Sequence, residues 1–524
     1  MAPAWLSTAW TSRLAETLRR IPRWARVAAV LTVSIALLTT FYLGVALRIP
    51  YNAEHAALMV MARSMLEGNW LLKGWTVAHQ PLFTTELPFY VAGILLLGFS
   101  WKVIYFVTAL HWALIALSVI YLASTVGGGR LKASRLLVAI CLSFYLPGVL
   151  LANEWISANH LVGFFYCLIC LLSIRNIERT GRWLDFVVYA VFLTLAAIGD
   201  VFAVYLVAVP VFIVCLARAV AHGVQRKTAI LLMATVAAVV LSRLVVLLIT
   251  YLGGAHLPGP PAEFVSLPAL ENNVYGFVSS FLTLFGVNFL GQPVASYGAF
   301  IGLLHFSGMC LFAVSLYVGL KRIGTASLPT QITVAMIAIN LVEFLLSTNT
   351  SPGASKYLAP SLFFGIILIC DVVFESWFFR ERKVLVLAAF VVLLLSLIPS
   401  LSYAKPKSPA DELGKILIRS HLTHGYGPYW RADNTTLSTA GQALVAAVYL
   451  QNGRLRPYPV FSDDQWYTGY ANFLIIDAYD TSGLHPTREQ AIEIFGAPVQ
   501  EFELYKYGYL LVWDHDITPV LHAP

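Results

Sequence analysis

Ionisable side chains stand beside or inside long apolar segments of this sequence, and their types suit acid–base and phosphate chemistry. A charged group at membrane depth is costly, so each one is a candidate for a functional role. A carboxylate beside cations fits a reaction on an anionic substrate, in which the cations hold a phosphate and the carboxylate accepts a proton. In chain order the candidates are Glu54, His55, Glu154, His160, Asp200, Arg243, Glu343 and Lys356.

Each candidate also has a structural interpretation. Asp200 follows Gly199, so it is as well suited to cap the next helix as to bind a ligand. Glu343 and Lys356 could extend toward a membrane surface with only their tips in water. Glu154 stands in a short turn, where solvated polar groups are ordinary, whereas Arg243 is deeper and favours a functional role.

The composition requires a chain that faces lipid. Hydrophobic residues make up 59% of the chain and charged residues 12%, whereas a soluble domain is about half apolar and a quarter charged. The formal net charge of +7 lies in short clusters between apolar runs. That distribution orients a membrane protein in the bilayer and argues against a nucleic-acid partner.

The apolar runs predict about eleven transmembrane helices, since each crossing needs about 20 predominantly apolar residues. The predicted spans are 27–47, 103–124, 136–152, 157–174, 184–199, 201–217, 229–252, 299–320, 328–348, 357–376 and 384–402.

Basic residues predict the orientation of these spans. Arginines precede the first span, and every gap that parity assigns to the same side is basic, so the N-terminus is predicted inside and the C-terminus outside. The chain then divides into a basic cytoplasmic N-terminus (1–26), a transmembrane domain (27–402) with a long first outer loop (48–102), and a soluble extracytoplasmic α/β domain (403–524). In that last domain we predict strands at 473–476 and 509–512, and a helix that begins after the cap Thr487.

Several short motifs resemble those of the C-type (GT-C) glycosyltransferases, a superfamily that includes protein O-mannosyltransferases and lipid A aminoarabinose transferases. In the first outer loop, Tyr51-Asn52-Ala53-Glu54-His55 with Gly68-Asn69-Trp70 is similar to the family's acidic opening. Gln80-Pro81-Leu82 and Leu87-Pro88-Phe89-Tyr90 resemble the part that follows, and Lys356-Tyr357-Leu358-Ala359-Pro360 resembles the start of a late helix. Two departures stand out: Ala53 replaces the aspartate that usually precedes the glutamate, and Lys356 replaces an arginine.

The resemblance implies an inverting transfer of a hexose or pentose from a polyprenyl-phosphate donor to a glycan, lipid or protein acceptor outside the membrane. Glu54 is the first choice for the catalytic carboxylate, with Glu154 and Asp200 as alternatives. Donor-phosphate contacts are predicted for Arg243, Lys356 and Tyr357, and substrate contacts for His55, His79, Gln80, Glu86 and His160.

Some relatives use a divalent metal. His55, His79, Glu86 and Glu154 are candidate ligands, but no spacing among them is diagnostic, so no definite metal site is predicted. The resemblance is to bacterial members, which implies the inner membrane of a bacterium.

Two other classes of protein stay open. A transporter or lipid flippase should show internal repeats and charges in both halves of the membrane, and the one-sided charge here argues against it. A non-catalytic envelope assembly or binding protein remains open because of Ala53. Its C-terminal domain would bind the partner, for instance a saccharide at Asp463-Asp464-Gln465-Trp466, although surface aromatics of a packed domain explain that stretch as well.

Overall fold

Helices form the first three quarters of the chain, and a sheet with a few helices forms the last quarter. The computed structural model describes residues 22–78, 80–125, 133–145, 160–258, 263–287, 289–348, 350–351, 354–373, 409–477, 483–504 and 508–522. The helices are α1 (Arg23–Ala46), α2 (Ala53–Leu66), α3 (Glu86–Leu97), α4 (Trp101–Ser124), α5 (Ala133–Tyr145), α6 (Leu161–Thr180), α7 (Trp183–Gly199), α8 (Val209–His222), α9 (Arg226–Tyr251), α10 (Leu270–Phe285), α11 (Tyr297–Lys321), α12 (Leu328–Leu346), α13 (Ala359–Val372), α14 (Pro409–Arg419), α15 (Tyr429–Ser438) and α16 (Arg488–Phe495).

Eight helical segments of the described chain are long and apolar enough to cross a membrane. They are α1, α4, α6, α8 with the π-helical turn Val204–Ala208, α9, α11, α12, and α13 with the 3₁₀ turn Ser355–Leu358. The helices α3, α5 and α7 are apolar but shorter. The polytopic helical fold predicted from the sequence is therefore confirmed.

Where the structure describes the predicted spans, up to residue 373, they coincide with helices, although the helix in 184–199 is shorter than the eight above. The exceptions are informative: 136–152 is helical through Tyr145 and its remainder lies outside the described residues, as does the whole of 384–402. The described helix α10 was not among the predicted spans, because Asn272, Asn273 and several small residues interrupt its apolar face.

The membrane core forms around α4 and α13, the most enclosed of the apolar helices. Their side chains pack with those of α6, α8 and α12 in one continuous apolar cluster. In contrast, α1 and α9 are mostly exposed and carry apolar side chains outward, as expected of helices whose outer face meets lipid tails.

The C-terminal region is a six-stranded sheet with helices, which confirms the predicted α/β fold. Its strands are β2 (His424–Gly427), β3 (Leu444–Gln451), β4 (Arg454–Pro457), β6 (Phe473–Asp477), β7 (Gln500–Leu504) and β8 (Gly508–Val512), in the order β4-β3-β2-β6-β8-β7. Strand β2 pairs in parallel with β3 and β6, and the other pairs are antiparallel. Helix α16 begins after Thr487 with a capping box to Gln490, as predicted.

The first outer loop and the C-terminal region share one hydrophobic core. Helix α2 packs on α15, and a second apolar cluster runs from α2 and the adjoining ends of α3 and α4 into the sheet. Two short strands also join them, since β1 (Trp75–Thr76) pairs with β5 (Ser462–Asp463), Trp75 opposite Asp463. The loop is thus folded into the C-terminal region.

Candidate active site

Helix α2 places Glu54 at the edge of the membrane bundle. The helix begins at Asn52, whose side-chain oxygen accepts hydrogen bonds from the His55 backbone N–H at 3.2 Å and pairs with His55 Nδ1 at 2.7 Å. Glu54 therefore lies in the first helical turn, where the helix dipole favours a carboxylate. The preceding backbone is held by Tyr105, whose hydroxyl donates to the Ile49 carbonyl at 2.7 Å.

Lys356 is far from Glu54 in the sequence but lies beside it in the structure. Its Nζ lies 3.4 Å from Glu54 Oε2, and the two side chains are 16% and 21% exposed. The pair joins residues 302 positions apart. Lys356 Nζ also lies 5.4 Å from the centre of the Tyr357 ring, within range of a cation–π interaction.

A buried amide fixes the turn that carries Lys356. Asn340, on α12, donates from Nδ2 to the Tyr357 carbonyl at 3.0 Å and accepts from the Ser361 hydroxyl at 2.6 Å. This bridge joins α12 to the start of α13, so that Lys356 and Tyr357 are held at the same level as Glu54.

His160 and Asp200 form a buried pair behind Tyr357. His160 Nδ1 lies 2.6 Å from Asp200 Oδ2, and the side chains are 3% and 1% exposed. The other oxygen, Asp200 Oδ1, accepts from the Phe202 backbone N–H at 2.9 Å. The His160 ring meets the Tyr357 ring edge to face at 5.4 Å between centres. Asp200 therefore starts the following segment, which is the capping role considered from the sequence, and it also orients the His160 ring; its role as a ligand stays a prediction.

The outer loop is tied to this pair through Glu86. The side chain is buried, and Oε1 accepts from the Val162 backbone N–H at 3.2 Å, at the start of α6. Leu82 N donates to the Gly199 carbonyl at 3.1 Å, which fixes the same loop to the end of α7. Burial, with a smaller contribution from the charge of Asp200, raises the pKa of the Glu86 carboxyl to about 8 and so favours its neutral form. Glu86 therefore connects the outer loop to α6.

His55 is a neutral group at this site. Burial, assisted by the charge of Lys356 and by His111, lowers the pKa of His55 to about 3. A neutral imidazole offers hydrogen bonds but no charge to a phosphate. Gln80 is half-buried in the loop that precedes Glu86.

One predicted site residue that the structure describes is not brought into this cluster. Arg243 is exposed on α9, and among the described residues no hydrogen bond or ion pair joins it to Glu54 or Lys356. His79 and Glu154 lie outside the described residues.

A metal site cannot be assembled from the predicted ligands that the structure describes. The described ranges contain no group of three or more His, Cys, Asp or Glu side chains that could hold an ion. Of the four candidate ligands, Glu86 and His55 are each engaged by a backbone or amide group of the protein.

A cleft of about 510 Å³ lies where α2 meets the C-terminal sheet. It contains the Trp75–Trp466 pair, with ring centres 5.0 Å apart and edge to face. Trp466 is 9% exposed, so its ring packs against the loop and does not present a free stacking face. The polar lining consists of Arg63, Ser64, Glu67, Asn69, Lys73, Thr436, Asp463 and Gln465. This cleft was not predicted from the sequence, although Asn69 and the Asp463-Asp464-Gln465-Trp466 stretch had been singled out, because its two walls are far apart in the chain.

Comparison with solved structures finds a shared architecture. The chain is similar to ArnT from Cupriavidus metallidurans, whose crystal structure has undecaprenyl phosphate bound, with a TM-score of 0.52, 12% identity, and coverage of 93% of this chain and 97% of that one. The chain has the ArnT-like membrane fold. A scan against protein-family models finds no match, and a search of curated proteins finds none either. The GT-C fold implied by the sequence motifs is thus confirmed, in a multi-pass membrane protein.

Proposed function

We propose that this protein transfers a sugar from a polyprenyl-phosphate donor to a hydroxyl-bearing acceptor outside the bacterial inner membrane. The observation that carries the proposal is the Glu54–Lys356 pair, a carboxylate and a cation 3.4 Å apart in a fold shared with a protein that binds undecaprenyl phosphate. Such a pair supplies the two groups that this reaction needs, a proton acceptor and a partner for the leaving phosphate.

In the proposed reaction Glu54 takes the proton of the acceptor hydroxyl. The acceptor oxygen forms a bond to the anomeric carbon while the bond from that carbon to the phosphate oxygen breaks. The electron pair leaves with the lipid phosphate, whose added charge is held by Lys356. Attack opposite to the leaving phosphate inverts the configuration at the anomeric carbon.

Asp200 and Glu54, the two described candidates for the catalytic base, differ in how deeply they are buried. Asp200 is 1% exposed and both of its oxygens are already hydrogen-bonded, so no acceptor hydroxyl can reach it without displacing His160. Glu54 is 21% exposed, and it is paired with the cation that the donor phosphate would take. We therefore assign Glu54 as the base, and Asp200 as a positioning residue that acts through His160 and Tyr357.

The acceptor fits the cleft at the end of α2. Arg63 lies nine residues beyond Glu54 in the same helix, about 14 Å along its axis. The cleft is lined by amides, carboxylates and cations, which suit the many hydroxyl groups of a glycan acceptor.

Sugar transfer in purified membranes tests the proposal. Labelled polyprenyl-phosphate sugars are supplied as a panel, and loss of the lipid-linked donor is followed for wild type, Glu54→Gln and the control Glu489→Gln. Glu489 is a suitable control because it is 77% exposed on α16. Consumption by wild type and control only is the expected result.

The other outcomes have definite meanings. Consumption by all three proteins keeps the enzyme class and moves the base to Glu154 or Asp200. Consumption by none of them, in folded preparations and over a broad panel, contradicts the transferase proposal and favours a binding or assembly role.

A further inference from the structure

A second polar cavity lies at the end of the helix bundle opposite to Glu54 and Lys356. It has a volume of about 410 Å³ and is formed by the ends of α6 and α13 and the connection between α11 and α12. His160 directly precedes α6, and Arg175 lies 15 residues further along, which corresponds to about 22 Å of helix. Lys356 and Asp371 are separated by the same interval along the segment that contains α13. The cavity is therefore distinct from the candidate active site.

Three arginines line this cavity: Arg175, Arg179 and Arg322. Arg175 is 8% exposed although it lies within α6. Its Nη1 donates to the Leu122 carbonyl at 2.8 Å and to Thr125 Oγ1 at 2.7 Å. An arginine that only sets the orientation of the protein in the membrane does not need hydrogen bonds that hold its side chain in a buried position. The two bonds use only Nη1 and hold a buried guanidinium at the cavity wall. A guanidinium has further N–H groups that can donate to a ligand.

The two carboxylates of the cavity are engaged by the protein. Glu178 Oε1 accepts from the Leu328 backbone N–H at 2.7 Å, at the start of α12, and Asp371 Oδ2 accepts from the Thr330 hydroxyl. Three guanidinium groups against two carboxylates leave a formal excess of one positive charge. The cavity is further lined by the side chains of Thr325, Ser327 and Thr333, which can hydrogen-bond to a ligand.

We propose that this cavity binds a phosphate group, presented by an anionic lipid headgroup of the adjacent leaflet. Guanidinium groups bind phosphate through paired, charge-assisted hydrogen bonds. The predicted orientation places this end of the bundle at the cytoplasmic leaflet, whose anionic lipids are drawn to basic pockets between transmembrane helices. The volume lies in the range of small-molecule sites. The proposal does not depend on the transferase activity.

Lipid retention by the purified full-length protein tests this site. Phosphatidylglycerol is titrated into delipidated protein in detergent micelles, and bound lipid is counted by native mass spectrometry. Arg322→Gln is the first variant, because Arg322 is exposed and its replacement leaves the packing intact. Lys321→Gln is the matched control, since it removes the same charge from the neighbouring exposed position, which is outside the cavity.

The expected result is that Arg322→Gln weakens phosphatidylglycerol binding about tenfold, the effect of one lost charge-assisted hydrogen bond, whereas Lys321→Gln binds as wild type. Arg175→Gln is expected to weaken binding at least as much, with gel filtration as the check on folding. Glu54→Gln should bind normally. If inorganic phosphate does not displace the lipid, the ligand of the cavity is a lipid headgroup. If it does displace the lipid, the ligand is free phosphate. Equal retention by wild type, Arg322→Gln and Lys321→Gln overturns the proposal.

Discussion

Replacement of Lys356 tests the proposed phosphate contact most directly. In the structure its ammonium is half-buried and 3.4 Å from the proposed base, so alanine removes both the partner of the leaving phosphate and the cation beside Glu54. A hydrogen bond to a charged group contributes about 1.5–3 kcal/mol. Since about 1.4 kcal/mol corresponds to a factor of ten, Lys356→Ala should lower kcat/KM by about 10- to 150-fold.

The assay is steady-state transfer from a labelled polyprenyl-phosphate sugar, with both kcat and KM determined. A contact that strengthens as the phosphate leaves should lower kcat, and one equally strong in the bound donor should only raise KM. Lys356→Arg keeps the charge and adds a bidentate geometry, so it should retain much more activity than alanine. Lys102→Ala, at an exposed position in the first turn of α4, controls for loss of a positive charge. If Lys356→Ala and Lys102→Ala have the same kcat/KM, the assigned role of Lys356 is wrong.

Three further predictions concern the surroundings of the site. Asp200→Ala removes the 2.6 Å partner of a buried histidine, and kcat/KM should fall at least about tenfold, with Asp200→Asn falling less; equal activity of all three proteins would refute the positioning role. Glu86 has a folded-state pKa of about 8 against about 4.3 unfolded, so its contribution to stability is full below about pH 4.3 and is lost as pH rises to about 8. The free energy of unfolding of wild type should therefore decline relative to that of Glu86→Gln across this window, by up to ~1.4 kcal/mol per pH unit. Melting temperatures measured against pH would show this decline, and parallel curves for the two proteins would contradict the assignment. Gly441 has φ of 78° and lies against an arginine guanidinium of α2, whereas Gly453 has φ of 75° and open space around it. Both Gly→Ala changes should cost about 1–2 kcal/mol of backbone strain. Only the change at Gly441 should also loosen the contact between α2 and the sheet and so speed limited proteolysis of the protein; equal cleavage rates for the two variants would argue that the contact is unimportant.

The sequence predicted the membrane architecture well because its signals are local. Apolar runs and basic gaps each depend on a few neighbouring residues, and so does the capping box at Thr487 that starts α16. Asn452-Gly453 was an unused signal of the same kind, since this dipeptide forms the tight turn between β3 and β4. The motif resemblance to the GT-C glycosyltransferases also selected Glu54 and Lys356, which the structure brings into contact.

The remainder could not be predicted because it depends on distant parts of the chain. Nothing near Asp200 indicates that its partner is His160, 40 residues earlier, or that Glu86 anchors the outer loop to the start of α6. Arg175 belongs to one of the basic gaps between predicted spans, and only the packing of α4 against α6 shows that it is buried. The order of the sheet strands was likewise not predictable, since β2 is placed between β3 and β6 by pairings that skip β4 and β5.

The shared core of the first outer loop and the C-terminal sheet limits how this protein can change during evolution. A domain attached only by a linker can be exchanged between relatives as a unit. Here β1 belongs to the loop and β5 to the C-terminal region, and α2, which carries Glu54, packs on α15. A recombination event that replaced residues 409–524 alone would leave half of a core without its other half. Changes in what the cleft between loop and sheet binds are therefore expected to arise by paired substitutions in loop and sheet, or by joint inheritance of both segments.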